Sequence, residues 1–198
     1  MLRGFHAADW GDKPGDVCTR AGTGLFNPVE LNWRPPKRWE KGDAQPTFDT
    51  DQPFLYILLR DHGNARIKDQ IVYVGLTKSP LTRFGNHKTA KAIVGKRGTV
   101  RFTYAPVDLK GRDRLEQIGR ALEELEHLLI WAVPGEHLMN VKKQFTLPGM
   151  GSRGGNAWYV QNTGYRFSGR MPREIIFPWM MVRPGRDRSL KPGHGPSE

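Results

Sequence analysis

Two tyrosines, an arginine, a histidine, a glutamate and an asparagine recur through the middle of this 198-residue chain at spacings suited to handling an oxyanion. Tyr56 and Tyr73 each lie in an apolar run, FLYILL and IVYV, and Arg83 and His87 follow the second run at intervals of ten and four residues. Arginine carries a permanent charge on a planar fork that can grip two phosphate oxygens. If a helix begins at Ser79-Pro80, with Ser79 accepting from the first amides and Pro80 in the first turn, Arg83 and His87 share one face of it. That face, near free helix amides, can hold a phosphate. The same R-x-x-x-H also describes a basic surface stripe that happens to carry a histidine.

Glu126 stands out for a different reason. A helix from about residue 113 to 133 is predicted by Leu115, Ile118, Leu122, Leu125 and Leu129, which recur at three- and four-residue intervals, with Pro134 and Gly135 to end it. On its helical wheel Glu116, Glu123 and Glu124 point away from the leucine stripe, while Glu126 falls at the edge. A carboxylate there costs free energy unless it is paired or bound to metal. It either snorkels into an ordinary surface pair or serves a metal. His62, His87, His127 and His137 show no paired metal-ligand spacing, and Cys18 is the only cysteine, which excludes a disulfide framework and a CxxC metal pair.

These residues need elements to position them. FLYILL (54–59) and IVYV (71–74) form a hairpin with a long polar loop containing His62-Gly63-Asn64. The helix from Ser79 is expected to run toward Ile93 despite Gly85, and TVRFTYAPV (99–107) alternates as a half-buried strand does. Residues 1 to about 50, rich in Gly, Pro, Trp and charge, read as a loop-rich arm. After Val141 come GMGSRGGN, a strand-like AWYVQ, REIIFPWMMVRPGR and a polar tail from about Asp187. The last dozen residues are expected to be disordered. This is an α+β chain with one main core.

The net charge is +11 and the pI about 10.0. The excess is local: residues 1–50 carry seven basic and seven acidic side chains, residues 78–114 ten and two, and residues 151–198 eight and three. Two basic segments beside a neutral one suit a polyanionic partner, nucleic acid above all, although a solvated basic surface gives the same count. Neither a membrane-spanning run nor a secretory leader is apparent, so a cytoplasmic protein is expected.

Taken in order, the motifs resemble those of the GIY-YIG nucleases. FLY, ending at Tyr56, matches the first signature triplet and YVG, Tyr73 to Gly75, the second. Arg83 matches the helix arginine of that superfamily, His87 a position held there by histidine or tyrosine, and LEHLLIWAVPGEHLMN supplies Glu126 and Asn140. The resemblance covers about residues 52–143. It implies a nuclease core with a small central antiparallel sheet flanked by helices, an N-terminal extension over 1–51 and a basic C-terminal extension over 144–198. The first triplet departs from Gly-Ile-Tyr, the hairpin loop is longer than in a minimal module, and the Glu-to-Asn interval is stretched. Leu76 stands where some relatives carry lysine, a role that would fall to Lys78.

The resemblance implies metal-dependent phosphodiester hydrolysis, with Tyr56, Tyr73, Arg83, His87, Glu126 and Asn140 as the catalytic set. Glu126 is expected to hold one Mg²⁺ or Mn²⁺ per site, Arg83 to stabilise the transition-state charge, and Tyr56 to act as general base with His87 accepting its proton. Tyr73 would position water or phosphate, and Asn140 would fix the helix end or the phosphate. A compact chain without a zinc module looks most like a stand-alone type II restriction endonuclease, a homodimer cutting a palindromic site in double-stranded DNA. Arg60, Arg66, Lys68, Lys78, Lys88 and Arg153 are then expected DNA contacts. The alternatives are a repair or mobile-element nuclease that recognises DNA structure or modification, and a non-catalytic nucleic-acid-binding module.

Overall fold

The structure, a computed structural model, describes residues 5–6, 24, 26–61, 68–107, 115–146, 148, 157–178 and 181–183. The chain is α+β. Its strands are β1 (Phe5–His6), β2 (Asn27–Trp33), β3 (Lys37–Arg38), β4 (Phe54–Asp61), β5 (Gln70–Thr77), β6 (Thr99–Pro106), β7 (Trp158–Gly164), β8 (Glu174–Phe177) and β9 (Met181–Arg183). The helices are α1 (Pro80–Arg83), α2 (Lys88–Gly95) and α3 (Leu115–Ala132), with a 3₁₀ turn at Phe167–Gly169.

The strands form two sheets, one ordered β3-β6-β4-β5 and the other β1-β9-β8-β7-β2. The first is antiparallel throughout. Its central strand β4 is buried along FLYILL because both faces are covered, which is why the segment reads as an unbroken apolar run rather than an alternating one. Leu55, Ile57 and Leu59 enter a core with Ala121, Leu122, Leu125 and Leu129 of α3. Phe54, Tyr56 and Leu58 face the other way, into a core with Trp39, Phe84, Phe102, Tyr104 and the α2 residues Ala90 and Ile93.

The second sheet joins the two flanks of the chain. β2 runs parallel to β7 in unbroken register from Asn27 opposite Trp158 to Trp33 opposite Gly164. Val29, Leu31 and Trp33 alternate into the α3-side core, so this part of the expected loop-rich arm is instead a strand of the main fold. Pro28 is tolerated because β2 lies at the sheet edge.

A buried polar junction ties the sheets together. Arg101 of β6 bonds both Asp61 and Asp69 at 2.5 Å, and Asp69 also accepts from Tyr165 at 2.7 Å and from Ser168 at 2.5 Å. Asp69 is 4% exposed. A carboxylate so deep is stable only because cation and hydroxyls surround it, and these bonds hold its carboxyl below the usual range despite burial.

The expected helix from Ser79 to Ile93 is two helices. The Ser79 side chain makes no cap bond; its carbonyl accepts from the amides of Thr82 and Arg83 at 3.3 and 3.2 Å. Phe84, Gly85 and Asn86 turn, and His87 starts α2 as its N-cap. A histidine whose ring caps the following helix cannot also continue the preceding one. Arg83 and His87 therefore flank a turn instead of sharing a helical face.

Among the described residues, no helix is long and apolar enough to cross a membrane.

Candidate active site

The site forms at the rim of the aromatic core, where β4, β5 and the α1–α2 turn meet. Tyr56 pairs with Gly75 across β4 and β5, and Tyr73 pairs with Leu58 two residues along, so both tyrosines lie on the same sheet face. Their ring centroids are 6.1 Å apart. A register shift between Leu58 and Leu59 accommodates the extra residue, Val72, without moving Tyr73 off that face.

Gly75 is required by the tyrosine opposite. A Cβ there would lie 2.5 Å from the Tyr56 hydroxyl oxygen and closer still to ring carbon Cζ. The phenol lies flat across a position where no side chain fits.

His87 approaches the same ring from the turn. Its Nε2 is 2.6 Å from the Tyr56 hydroxyl, and its Nδ1 accepts the Ala90 backbone N–H at 3.2 Å. An amide N–H can only donate, so Nδ1 carries the lone pair. Burial, then the nearby Arg83 charge, pushes the His87 pKa down to about 4, so the ring is neutral at ordinary pH. The remaining proton must sit on Nε2, which donates to Tyr56. In this tautomer His87 cannot accept the tyrosine proton, contrary to the expectation from the sequence. It donates to the Tyr56 oxygen instead.

Tyr56 is fully buried, and its pKa is raised well above the usual value by burial first and by Tyr73 and Glu126 next, with Arg83 opposing them. Tyr73 is half-buried and is also raised, by burial and then by Glu126, again opposed by Arg83. Arg83 itself is exposed at the end of α1. One cation and one carboxylate thus act on both phenols from opposite directions.

Glu126 stands at the edge of the leucine stripe, its side chain 14% exposed, with Oε2 2.8 Å from Lys143 Nζ. Glu123 pairs with Lys78 on the surface at 2.9 Å, and Glu124 accepts from the Trp158 indole at 2.7 Å. Among the described residues, no group of three or more His, Cys, Asp or Glu could hold a metal. A single, partly buried carboxylate fits a hydrated hard cation that takes its other ligands from water and phosphate; it does not fit zinc or a closed calcium cage.

Asn140 has a structural task. Its Oδ1 accepts the Val74 N–H at 3.0 Å and its Nδ2 donates to the Val74 carbonyl at 2.7 Å, so the side chain pairs with the free edge of β5 as a strand would. Met139 N–H adds a bond to the Val72 carbonyl at 2.7 Å. Asn140 therefore fixes the strand that carries Tyr73 rather than the end of α3, and its second Nδ2 N–H is not used by the Val74 pairing.

Of the expected DNA contacts, Lys68 and Lys88 are exposed and Arg60 is half-buried. Lys78 is already engaged with Glu123 and lies across Gly119. Arg66 and Arg153 lie outside the described residues, as do His62, the rest of the RGGN segment and the polar tail. Sequence reasoning missed Lys143, whose partner appears only once the chain is folded, and the steric role of Gly75. The chain matches no family model, no curated protein and no solved structure.

Proposed function

We propose that this protein is a metal-dependent endodeoxyribonuclease of the GIY-YIG type, hydrolysing phosphodiester bonds in double-stranded DNA. The observation that carries the reading is the neutral His87 donating to Tyr56 beneath Gly75, with Tyr73, Arg83 and Glu126 in electrostatic contact with the same phenol. A packing role alone would not require an arginine and a carboxylate acting on one buried and one half-buried phenol.

Arg83, exposed and beside both tyrosines, grips the scissile phosphate and stabilises its added charge in the transition state. Tyr73, the half-buried phenol, meets the attacking water; full burial of Tyr56 argues for giving it the task of orienting Tyr73 from behind, with His87 holding it. Tyr73 rather than Tyr56 is then the better choice of base. Glu126 holds the divalent cation, which when bound supplies positive charge to the departing oxygen. Neutralising Glu126 also removes an influence that raises both phenols, which brings Tyr73 closer to a usable base.

The net charge of +11 and the exposed Lys68 and Lys88 suit a DNA backbone. Sequence-specific double-strand cleavage by a homodimer, as in a type II restriction enzyme, is the reading that best uses two flanks paired into one second sheet. The test is incubation of plasmid and long natural duplex DNA with the protein and Mg²⁺, comparing wild type with Glu126→Ala. Discrete fragments lost in the variant support the proposal. Salt-sensitive binding without cleavage by wild type would overturn it in favour of a binding module.

A further inference from the structure

Among the described residues, Lys143 is the one cation seated directly on the carboxylate assigned to the metal. Its ammonium lies 2.8 Å from Glu126 Oε2 and 3.4 Å from the Glu123 carbonyl. The pair is partly buried, with side-chain exposures of 32% and 14% for Lys143 and Glu126. The placement is specific, because Lys143 adopts a left-handed backbone with φ 69, a conformation that costs a non-glycine residue energy. The preceding Asn140 is pinned to Val74 by two bonds, which sets where the bend starts. Val141 and Phe145 on the same bend are 91% and 83% exposed, so Lys143 is drawn inward while its apolar neighbours point out.

We propose that Lys143 is the internal counter-ion of the metal carboxylate, occupying Glu126 in the free protein and competing with the divalent cation for it. The proposal rests on the assignment of Glu126 to the metal. A half-buried carboxylate left unpaired would be unstable. An ammonium satisfies it reversibly, as a compact charge on a flexible stem that can swing out. Metal binding then releases a cation beside the exposed Lys142, where a DNA phosphate can take it. Metal and DNA thereby favour one another, since each relieves a cost the other faces alone.

The experiment measures Mn²⁺ binding without DNA, from loss of the free-ion paramagnetic resonance signal at fixed ionic strength. It compares wild type, Lys143→Met, Lys143→Arg and Glu126→Gln, each checked for an intact fold by circular dichroism. Lys143→Met keeps the stem without the charge and should bind Mn²⁺ about 1.5- to fivefold more tightly, the range set by loss of one partly screened ion pair. Lys143→Arg should bind no tighter than wild type, and Glu126→Gln should not bind at the site. Equal or weaker binding by folded Lys143→Met overturns the role of Lys143 alone. Binding by wild type and Lys143→Met no greater than by Glu126→Gln overturns the metal assignment itself, and this proposal with it.

Discussion

The two faces of the four-stranded sheet use the same strands for different ends. On the α3 face β4 and β5 contribute only aliphatic side chains, Leu55, Ile57, Leu59, Ile71 and Val74, which share a core with Leu122, Leu125 and Leu129, and the rings of that core, Trp33, Trp158 and Phe167 among them, come from other elements. The opposite face is aromatic, with Phe54, Tyr56, Phe84, Phe102 and Tyr104 packed at ring separations between 4.9 and 6.5 Å. Aliphatic side chains give non-directional burial, whereas aromatic rings prefer particular approach angles. A face that must aim two hydroxyls is better built from rings, and the reactive groups sit at its rim. The aliphatic face, by this account, secures the fold, and the aromatic face aims the chemistry.

Substitutions on each face separate these roles. Leu125→Ala, at a fully buried position on α3, should cost about 2 to 5 kcal/mol in denaturant unfolding. Cleavage per folded molecule should stay near wild type; a proportionate loss of activity would blur the distinction. Gly75→Ala should cost about 1 to 3 kcal/mol, since Tyr56 must move off its site, but its cleavage should fall far more than that destabilisation accounts for. Asn140→Asp places a second oxygen against the Val74 carbonyl and should cost roughly 1 to 3 kcal/mol with a smaller loss of cleavage. Equal stability in this variant would mean that the edge pairing does not hold the strand.

The smallest effect concerns pH. The folded-state pKa of His87 is depressed to about 4, from 6.5, so the unfolded chain binds more protons between those values. Stability attributable to His87 is present above about pH 6.5 and is lost as pH falls toward 4. His127, lowered by burial first, adds in the same direction. Melting curves from pH 7 down to pH 4.5 should show a shallower decline for His87→Gln than for wild type. Parallel declines would exclude His87 as a contributor.

Legibility in the sequence followed the range of the interactions. β4, β5, β6 and α3 are visible because their patterns are local: two apolar runs, an alternating segment and a leucine stripe. β2 was hidden, because NPVELNW carries a proline at its second position and its partner β7 lies more than a hundred residues on. The break before α2 was missed because Gly85 is a weak signal next to the capping bond from His87, which only the folded turn provides. Each site residue was recognisable by type, yet the direction of the His87–Tyr56 bond depends on Ala90, and the inward turn of Lys143 depends on Glu126, 17 residues earlier.

The most direct test compares single-turnover cleavage of duplex DNA by wild type, Tyr73→Phe and Leu125→Ala, normalised to folded protein. Wild type should cleave with Mg²⁺. Tyr73→Phe should melt like wild type yet lose at least about a hundredfold in rate, within the usual contribution of a general base, while Leu125→Ala melts early and cleaves normally per folded molecule. Near-normal cleavage by a well-folded Tyr73→Phe, or none by wild type, would contradict the assignment of chemistry to the aromatic face.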